Sequence, residues 1–352
     1  MKRKVFIQLP SNNPSGGVKV GNQLVNLFRE HNYESYVVLP SEVYQADWLI
    51  NPAPTIGIAK MREIVQRNDI VIDNWPDKRT LAPLLRLKAK TKIFYLQGCT
   101  FSKDNNLIGD KFLRKNLGYT HFWVVSKDSL DYLKRKYSCI PKWYLINPYF
   151  DFKAINQVIS GIKRENKILC LTRKGRNYIK LANLIFGSKI KFEQIDRIFS
   201  EKEFYQLAAS SKFFLSTAVG IDNHYFKKIL NFKKILKIFL NIFSKEKKYS
   251  ITSYIIPIGH KEGFHLPPAE AAMCSSIVIG FAMGGGLEWM SPSTCFLAKD
   301  RSYFSLIKKI QEALSCSDEQ LDNIRKNAFK AVSKFNKGYT WQQIEAFLNE
   351  LT

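Results

Sequence analysis

Short apolar runs alternate with amphipathic stretches from the first residues onward. VFIQL (5–9) leads through a Gly/Pro loop to a predicted helix near 18–30, followed by SYVVL (35–39), a helical segment near 58–67 and IVID (70–73). TLAPLLRLKAK (80–90), KIFYLQ (92–97), HFWVVS (121–126) and the helical KDSLDYLKRKY (127–137) continue the alternation. Nearly continuous apolar strands separated by helices predict an α/β class with a mostly parallel, doubly wound sheet. The pattern pauses at WYLINPYFDFKAINQ (143–157), where Pro148 interrupts, and restarts at KILCL (167–171). Two α/β units in tandem follow, meeting near 148–166, with ligand sites expected at the carboxyl ends of their strands. Two capping boxes, Ser317 with Gln320 and Thr340 with Gln343, predict helix starts in the tail. The last helix, about 340–351, puts Trp341, Ile344, Phe347, Leu348 and Leu351 on one face and must dock on something.

Composition narrows the class. The chain has 352 residues, 45% hydrophobic and 24% charged, so a disordered or fibrous chain is excluded. The net charge of +24 suits polyanions or anionic lipid, although a Lys-, Ile- and Asn-rich bias accounts for it equally. Cysteines at 99, 139, 170, 274, 295 and 316 show neither CxxC nor metal-ligand spacing. With a five-residue apolar run at the N-terminus, too short for a secretory signal, they read as reduced thiols in a cytoplasmic protein. The longest apolar stretches, such as 276–287, fall short of the roughly 18 residues a membrane span requires.

Three constellations carry candidate chemistry. Ser15-Gly16-Gly17 stands between the first strand and first helix, where glycines admit a ligand to the backbone; a tight turn explains it as simply. Arg173-Lys174-Gly175-Arg176, with Lys180 one turn on, places four cations at a strand-to-helix junction, suited to a diphosphate or to solvent. The third is Glu262-Gly-Phe-His-Leu-Pro-Pro-Ala-Glu270, in which Pro267 and Pro268 suit a helix start. Loop and helix amides there can meet phosphate oxygens while two carboxylates accept from hydroxyls, as a nucleotide sugar would require. Two unrelated glutamates around a proline turn are the plainer alternative.

EGFHLPPAEAAMCSSIVIGFAMGGGLEWM resembles the Glu-x7-Glu motif of retaining glycosyltransferases with the two-domain GT-B fold, of the group 1 or family 4 type. LPSNNPSGG, LTRKGR, EKEFYQLAASSKFFLST and GYTWQQIEAFLNEL resemble further parts of that family in the same order. The resemblance implies an N-terminal Rossmann-like acceptor domain (1–150), a donor domain (151–335) and a final helix (336–352) crossing back onto the first. It implies that Glu262 contacts donor-sugar hydroxyls, with Gly263, Phe264, His265 and Leu266 holding sugar and phosphate. Glu270 would hold the ribose, opposite Gly16 and Gly17. Arg173 with Lys174 or Lys180, beside Arg176, would neutralise the leaving diphosphate, and no metal or other cofactor is expected.

The sequence departs from the family in placing His265 and Ser275 where a small residue and a glycine are usual. It also inserts about 40 residues (218–259) between FFLST (213–217) and the donor loop. Within them, 224–249 carries eight lysines and one glutamate. Ile229, Phe232, Leu236, Phe239, Leu240 and Phe243 fall on one side, with Lys227, Lys233, Lys234 and Lys237 largely on the other. Such a helix suits the anionic inner face of a membrane, and equally a helix docked on its own domain. The expected partners are a nucleotide-sugar donor and a glycan or lipid-linked acceptor of surface polysaccharide or glycolipid synthesis. The alternatives are a nucleic-acid-binding protein, which no recognised motif supports, and an inactive GT-B-like sugar-nucleotide binder.

Overall fold

The computed structural model describes residues 3–40, 43–74, 87–97, 118–136, 140, 142–172, 175–217, 263–300 and 302–351. Seven parallel strands form the first sheet: β1 (Lys4–Gln8), β2 (Glu34–Leu39), β3 (Thr55–Gly57), β4 (Ile70–Asp73), β5 (Thr91–Leu96), β6 (His121–Val124) and β7 (Tyr144–Leu145). Their spatial order is β3-β2-β1-β4-β5-β6-β7. The second sheet holds β8 (Glu165–Leu171), β9 (Lys191–Ile195), β10 (Ser211–Ser216), β11 (Ile277–Gly280) and β12 (Phe296–Leu297), ordered β12-β11-β10-β8-β9 and again parallel. The described helices are α1 (Gly16–Glu30), α2 (Ile58–Ile64), α3 (Lys127–Lys136), α4 (Phe152–Ile159), α5 (Arg176–Phe186), α6 (Glu201–Ser210), α7 (Leu266–Met273), α8 (Tyr303–Ser315), α9 (Asp318–Ser333) and α10 (Lys337–Asn349).

Both sheets are covered on both faces, which is why their central strands read as apolar runs rather than alternating ones. In β1, Val5 and Ile7 join one core while Phe6 joins the core on the opposite face with Val38, Met61 and Val71. In the second sheet, Ile168, Phe213 and Ile279 pack with Tyr178 and Ile179 of α5 and Ile310 of α8. Leu169, Phe214 and Val278 point the other way, into a core that runs without a break into the first domain. That shared core takes in Leu24 of α1, Phe204 of α6, Ala272 of α7, Val332 of α9 and Phe347 of α10.

The last helix lies against the first domain. Phe347 meets Trp123 edge-on at 5.1 Å and Tyr144 at 4.8 Å, while Trp341 stacks on His31 at 3.6 Å. It starts earlier than its sequence suggests, because Asn336 caps it by accepting from the Tyr339 amide at 3.0 Å. Thr340 and Gln343 therefore form no capping box. The Thr340 hydroxyl donates to the Asn147 carbonyl at 3.0 Å, and Gln343 exchanges two hydrogen bonds with Asn147, both 2.8 Å. A tertiary partner has claimed the residues that local chemistry offered as a cap. The Ser317–Gln320 box does form. Helix α4, capped by Asp151, stands where the alternation pauses, since its apolar residues are too few to stand out beside Pro148. Of TLAPLLRLKAK, residues 80–86 lie outside the described residues, as does the whole 218–259 insertion.

Ser275 follows α7 with φ of 64°, a left-handed conformation that favours glycine, and its amide donates to the Ala272 carbonyl at 3.0 Å. A glycine at this place would thus have a backbone reason. Ser275→Gly should stabilise the protein by about 1 kcal/mol, read as a raised urea midpoint at unchanged slope.

Candidate functional site

In each sheet the strand order reverses at one place, between β1 and β4 in the first and between β8 and β10 in the second. Helices that follow the strands on either side of such a reversal lie on opposite faces and leave a crevice at the carboxyl edge. In the second sheet α5 follows β8 and α7 precedes β11, so their N-termini flank the crevice from opposite faces. Gly175, at φ of 72°, closes the gap: a Cβ there would stand 2.2 Å from the Thr217 carbonyl oxygen beyond β10.

The first domain presents the N-terminus of α1 to the same region. Ser15 caps α1, accepting from the Val18 amide at 3.2 Å, so Gly16 and Gly17 form its first turn rather than a preceding loop. Gly16 faces Leu266, the first residue of α7, whose side chain would lie 3.4 Å from a Cβ at that glycine. Gly263 lies against the end of β5, where a Cβ would come within 1.7 Å of the Gln97 carbonyl oxygen. No side chain fits there, which gives the glycine after Glu262 a steric cause. The loop is held from behind as well: Gly285 donates to the Gly263 carbonyl at 2.7 Å, and Phe264 packs edge-on against Phe335 at 5.0 Å. His265 occupies the cap position of α7, and Pro267 falls in its first turn, where a missing amide costs nothing. One further contact crosses between the domains here: Glu288 accepts from the Lys127 amide at 2.9 Å and so caps the start of α3.

Beneath these loops lies a buried charge cluster. The Lys19 ammonium, on the first turns of α1, donates to Glu270 of α7, to Glu201 of α6 at 2.5 Å and to the Tyr205 hydroxyl at 2.7 Å. All three donors are used and all three acceptors belong to the other domain. Tyr205 in turn donates to Glu201 at 2.7 Å. The second oxygen of Glu201 accepts from the Ile50 amide at 2.8 Å, and the Glu201 amide donates to the Trp48 carbonyl at 2.7 Å. Burial alone would lower the Lys19 pKa, yet Glu270, Tyr205 and Glu201 outweigh it and hold the ammonium well above its ordinary value. Glu201 is pushed up by burial but pulled below the usual carboxylate value by Lys19 and the surrounding donors. Glu270 stays raised, because burial outweighs the single cation it shares. Beside the cluster, Lys19, Glu201, Tyr205, Tyr149 and Leu49 border a cavity of about 30 Å³, room for about one water.

Of the sequence-predicted site residues, Gly16, Gly17, Gly263, Phe264, His265, Leu266 and Glu270 come together where the domains face each other. Arg176 and Lys180 are exposed on the first turns of α5, across the second crevice. Arg173, Lys174 and Glu262 lie outside the described residues. Glu270 is almost wholly buried, and its Oε1 accepts from Lys19. Lys19, Glu201 and Tyr205 were not foreseen. The available signals were a lysine inside the apolar run VKVGNQLV and a Glu-x3-Tyr spacing that places both side chains on one face of α6. Among the described residues no three His, Cys, Asp or Glu side chains gather as a metal site, and no helix is long and apolar enough to cross a membrane. Cys170, Cys274 and Cys295 are buried free thiols and Cys316 is half-buried and free.

No family model matches the chain, and no curated protein does. Solved structures match over almost its full length. Anabaena Alr3699/HepE in complex with UDP and glucose superposes with a TM-score of 0.63 at 14% identity, covering 99% of this chain and 100% of that one. A glycosyltransferase from Rickettsia africae gives 0.65 at 13%, covering 99% and 98%. The pneumococcal O-GlcNAc transferase GtfA, in complex with UDP and GlcNAc, gives 0.59 at 10%, covering 99% of both chains. The architecture is GT-B, as in these glycosyltransferase structures.

Removing the shared cation leaves two buried carboxylates facing each other. Lys19→Met should therefore cost about 3–5 kcal/mol of stability. Adding Glu201→Gln should recover part of that loss, because one of the stranded charges is gone. A double-mutant cycle by urea denaturation measures the coupling, and strictly additive effects would contradict the shared-cation arrangement.

Proposed function

We propose that the chain is a retaining glycosyltransferase that takes a sugar from a nucleotide-sugar donor. The observation that carries this reading is the opposition of two helix N-termini, those of α1 and α7, at the carboxyl edges of two parallel sheets, with the cationic start of α5 flanking the second crevice. Free amides at such termini carry a partial positive charge and suit a diphosphate. The UDP complexes of structurally similar proteins make UDP the first nucleotide to test.

On this reading Arg173, with Lys174 or Lys180 and Arg176, bears the charge that develops on the departing diphosphate. Gly16 and Gly17 and the amides from Gly263 to Leu266 contact its oxygens and the sugar. Glu262 accepts from donor-sugar hydroxyls, and Glu270 accepts from the ribose. Retention follows from attack on the same face that the leaving group departs. The acceptor hydroxyl forms the new bond at the anomeric carbon, the bond to diphosphate breaks, and the diphosphate takes the acceptor proton. No side-chain nucleophile or metal is assigned a step. The leaving-group cations then supply the largest catalytic contribution.

The acceptor on this proposal is a glycan or lipid-linked saccharide of surface polysaccharide or glycolipid synthesis. The basic stretch 224–249 seats the enzyme on an anionic cytoplasmic leaflet. Its lysines each add about 1 kcal/mol of attraction near the surface, weakened by salt.

Thermal-shift screening against nucleotide sugars, followed by transfer assays with the donor found, tests the activity. Glu262→Ala should abolish transfer, and Arg173→Ala should lower turnover by about 100-fold or more. Wild-type turnover in the Glu262 variant would remove the motif assignment. Co-sedimentation with anionic vesicles should be strong at low salt and lost on deleting 224–249. Equal binding by both proteins would leave that stretch without a membrane role.

A further inference from the structure

The role proposed for Glu270 sets a requirement that Glu270 cannot meet alone. A carboxyl group accepts most strongly from two ribose hydroxyls when ionised, since protonation turns one of its oxygens into a donor, and burial opposes ionisation. Glu270 sits on the second domain, almost wholly buried, and its cation comes from the other domain. Among the described residues, the charged and titratable groups that face it are Lys19 from α1, Glu201 and Tyr205 from α6, and Cys274 at the end of its own helix. Glu201 adds negative charge, while the Tyr205 and Cys274 groups are held neutral well past their ordinary pKa by burial. Lys19 is thus the one cation in that set.

We propose that Lys19 is the positioning residue of the nucleotide site: it fixes the Glu270 carboxylate in its ionised form, so that the ribose-binding group is completed only when the first domain is seated on the second. This rests on the donor reading above and extends it to the partner that makes Glu270 competent. The geometry supports a fixed rather than a passing contact. The Lys19 ammonium is held by three acceptors, Glu270, Glu201 and Tyr205, and Glu201 is itself tied to the Trp48–Ile50 segment of the first domain through two backbone groups. Lys19 cannot swing away without leaving Glu201 and Glu270 uncompensated. Burial has already raised the Glu270 pKa with Lys19 present, so removing the ammonium raises it further.

The test separates this role from general damage. Affinity for the tightest-binding of UDP, GDP, ADP and CDP is measured by calorimetry, with inorganic pyrophosphate as a ribose-lacking probe. Wild type is compared with Lys19→Met and with Lys19→Met/Glu201→Gln, the second retaining the cluster's original net charge should the first fold poorly. At the acid end of the pH range in which all three proteins stay folded, the variants should bind the nucleotide about tenfold or more weaker than wild type. The deficit should shrink as pH rises and Glu270 ionises, with the pyrophosphate affinities of variants and wild type equal throughout. Nucleotide affinity equal to wild type in the folded variants, or a loss that is pH-independent and shared by pyrophosphate, overturns the role of Lys19 alone. If wild type binds pyrophosphate but none of the four nucleotides, the donor reading fails and takes this proposal with it.

Discussion

A buried ammonium accepted by two carboxylates of the opposite domain constrains everything around it. Lys19 is made on the first helix of the chain, while Glu201 and Glu270 stand about 180 to 250 residues later. Burying an ion is costly unless it is paired and fully hydrogen-bonded, and here each donor of the ammonium is used. The arrangement therefore exists only when the two sheets are brought together in one orientation. Apolar packing through Phe204, Ala272 and Leu24 drives the association, and the charge cluster selects its register.

That register sets what the site is made of. With Lys19 seated, Gly16 comes against Leu266 and Gly263 against Gln97, so the amides of two helix starts lie near one another. Glu288 on the start of α3, and α10 on β6 and β7 through Phe347, add fastening points on the same side. Residues of both domains consequently meet at one place, with Lys19 of the first holding the Glu270 carboxylate of the second.

Much of this was legible in the sequence because it follows from local rules. Apolar runs such as VFIQL and KILCL report strands covered on both faces, and the proline pair after His265 marks a helix start. The glycine at 263 and the unusual serine at 275 match backbone demands that the fold makes visible. What escaped was set by partners distant in sequence. Thr340 and Gln343 read as a cap and instead bind Asn147; Lys19 carries the interdomain cluster, but its partners lie too far along the chain for any local pattern to single it out. Short strands such as β7 and β12, of two residues each, carry too little pattern to be seen.

The central claim is that both domains together form one nucleotide-sugar site. Amide hydrogen exchange with and without UDP-glucose, or the donor found by screening, tests it most directly. The account predicts slowed exchange on binding in three separate places: the first turns of α1 around Gly16 to Lys19, the start of α5 from Gly175 to Lys180, and the segment from Gly263 to Glu270. Protection confined to one domain, or absent from the Gly263–Glu270 segment while the donor is bound, would contradict it.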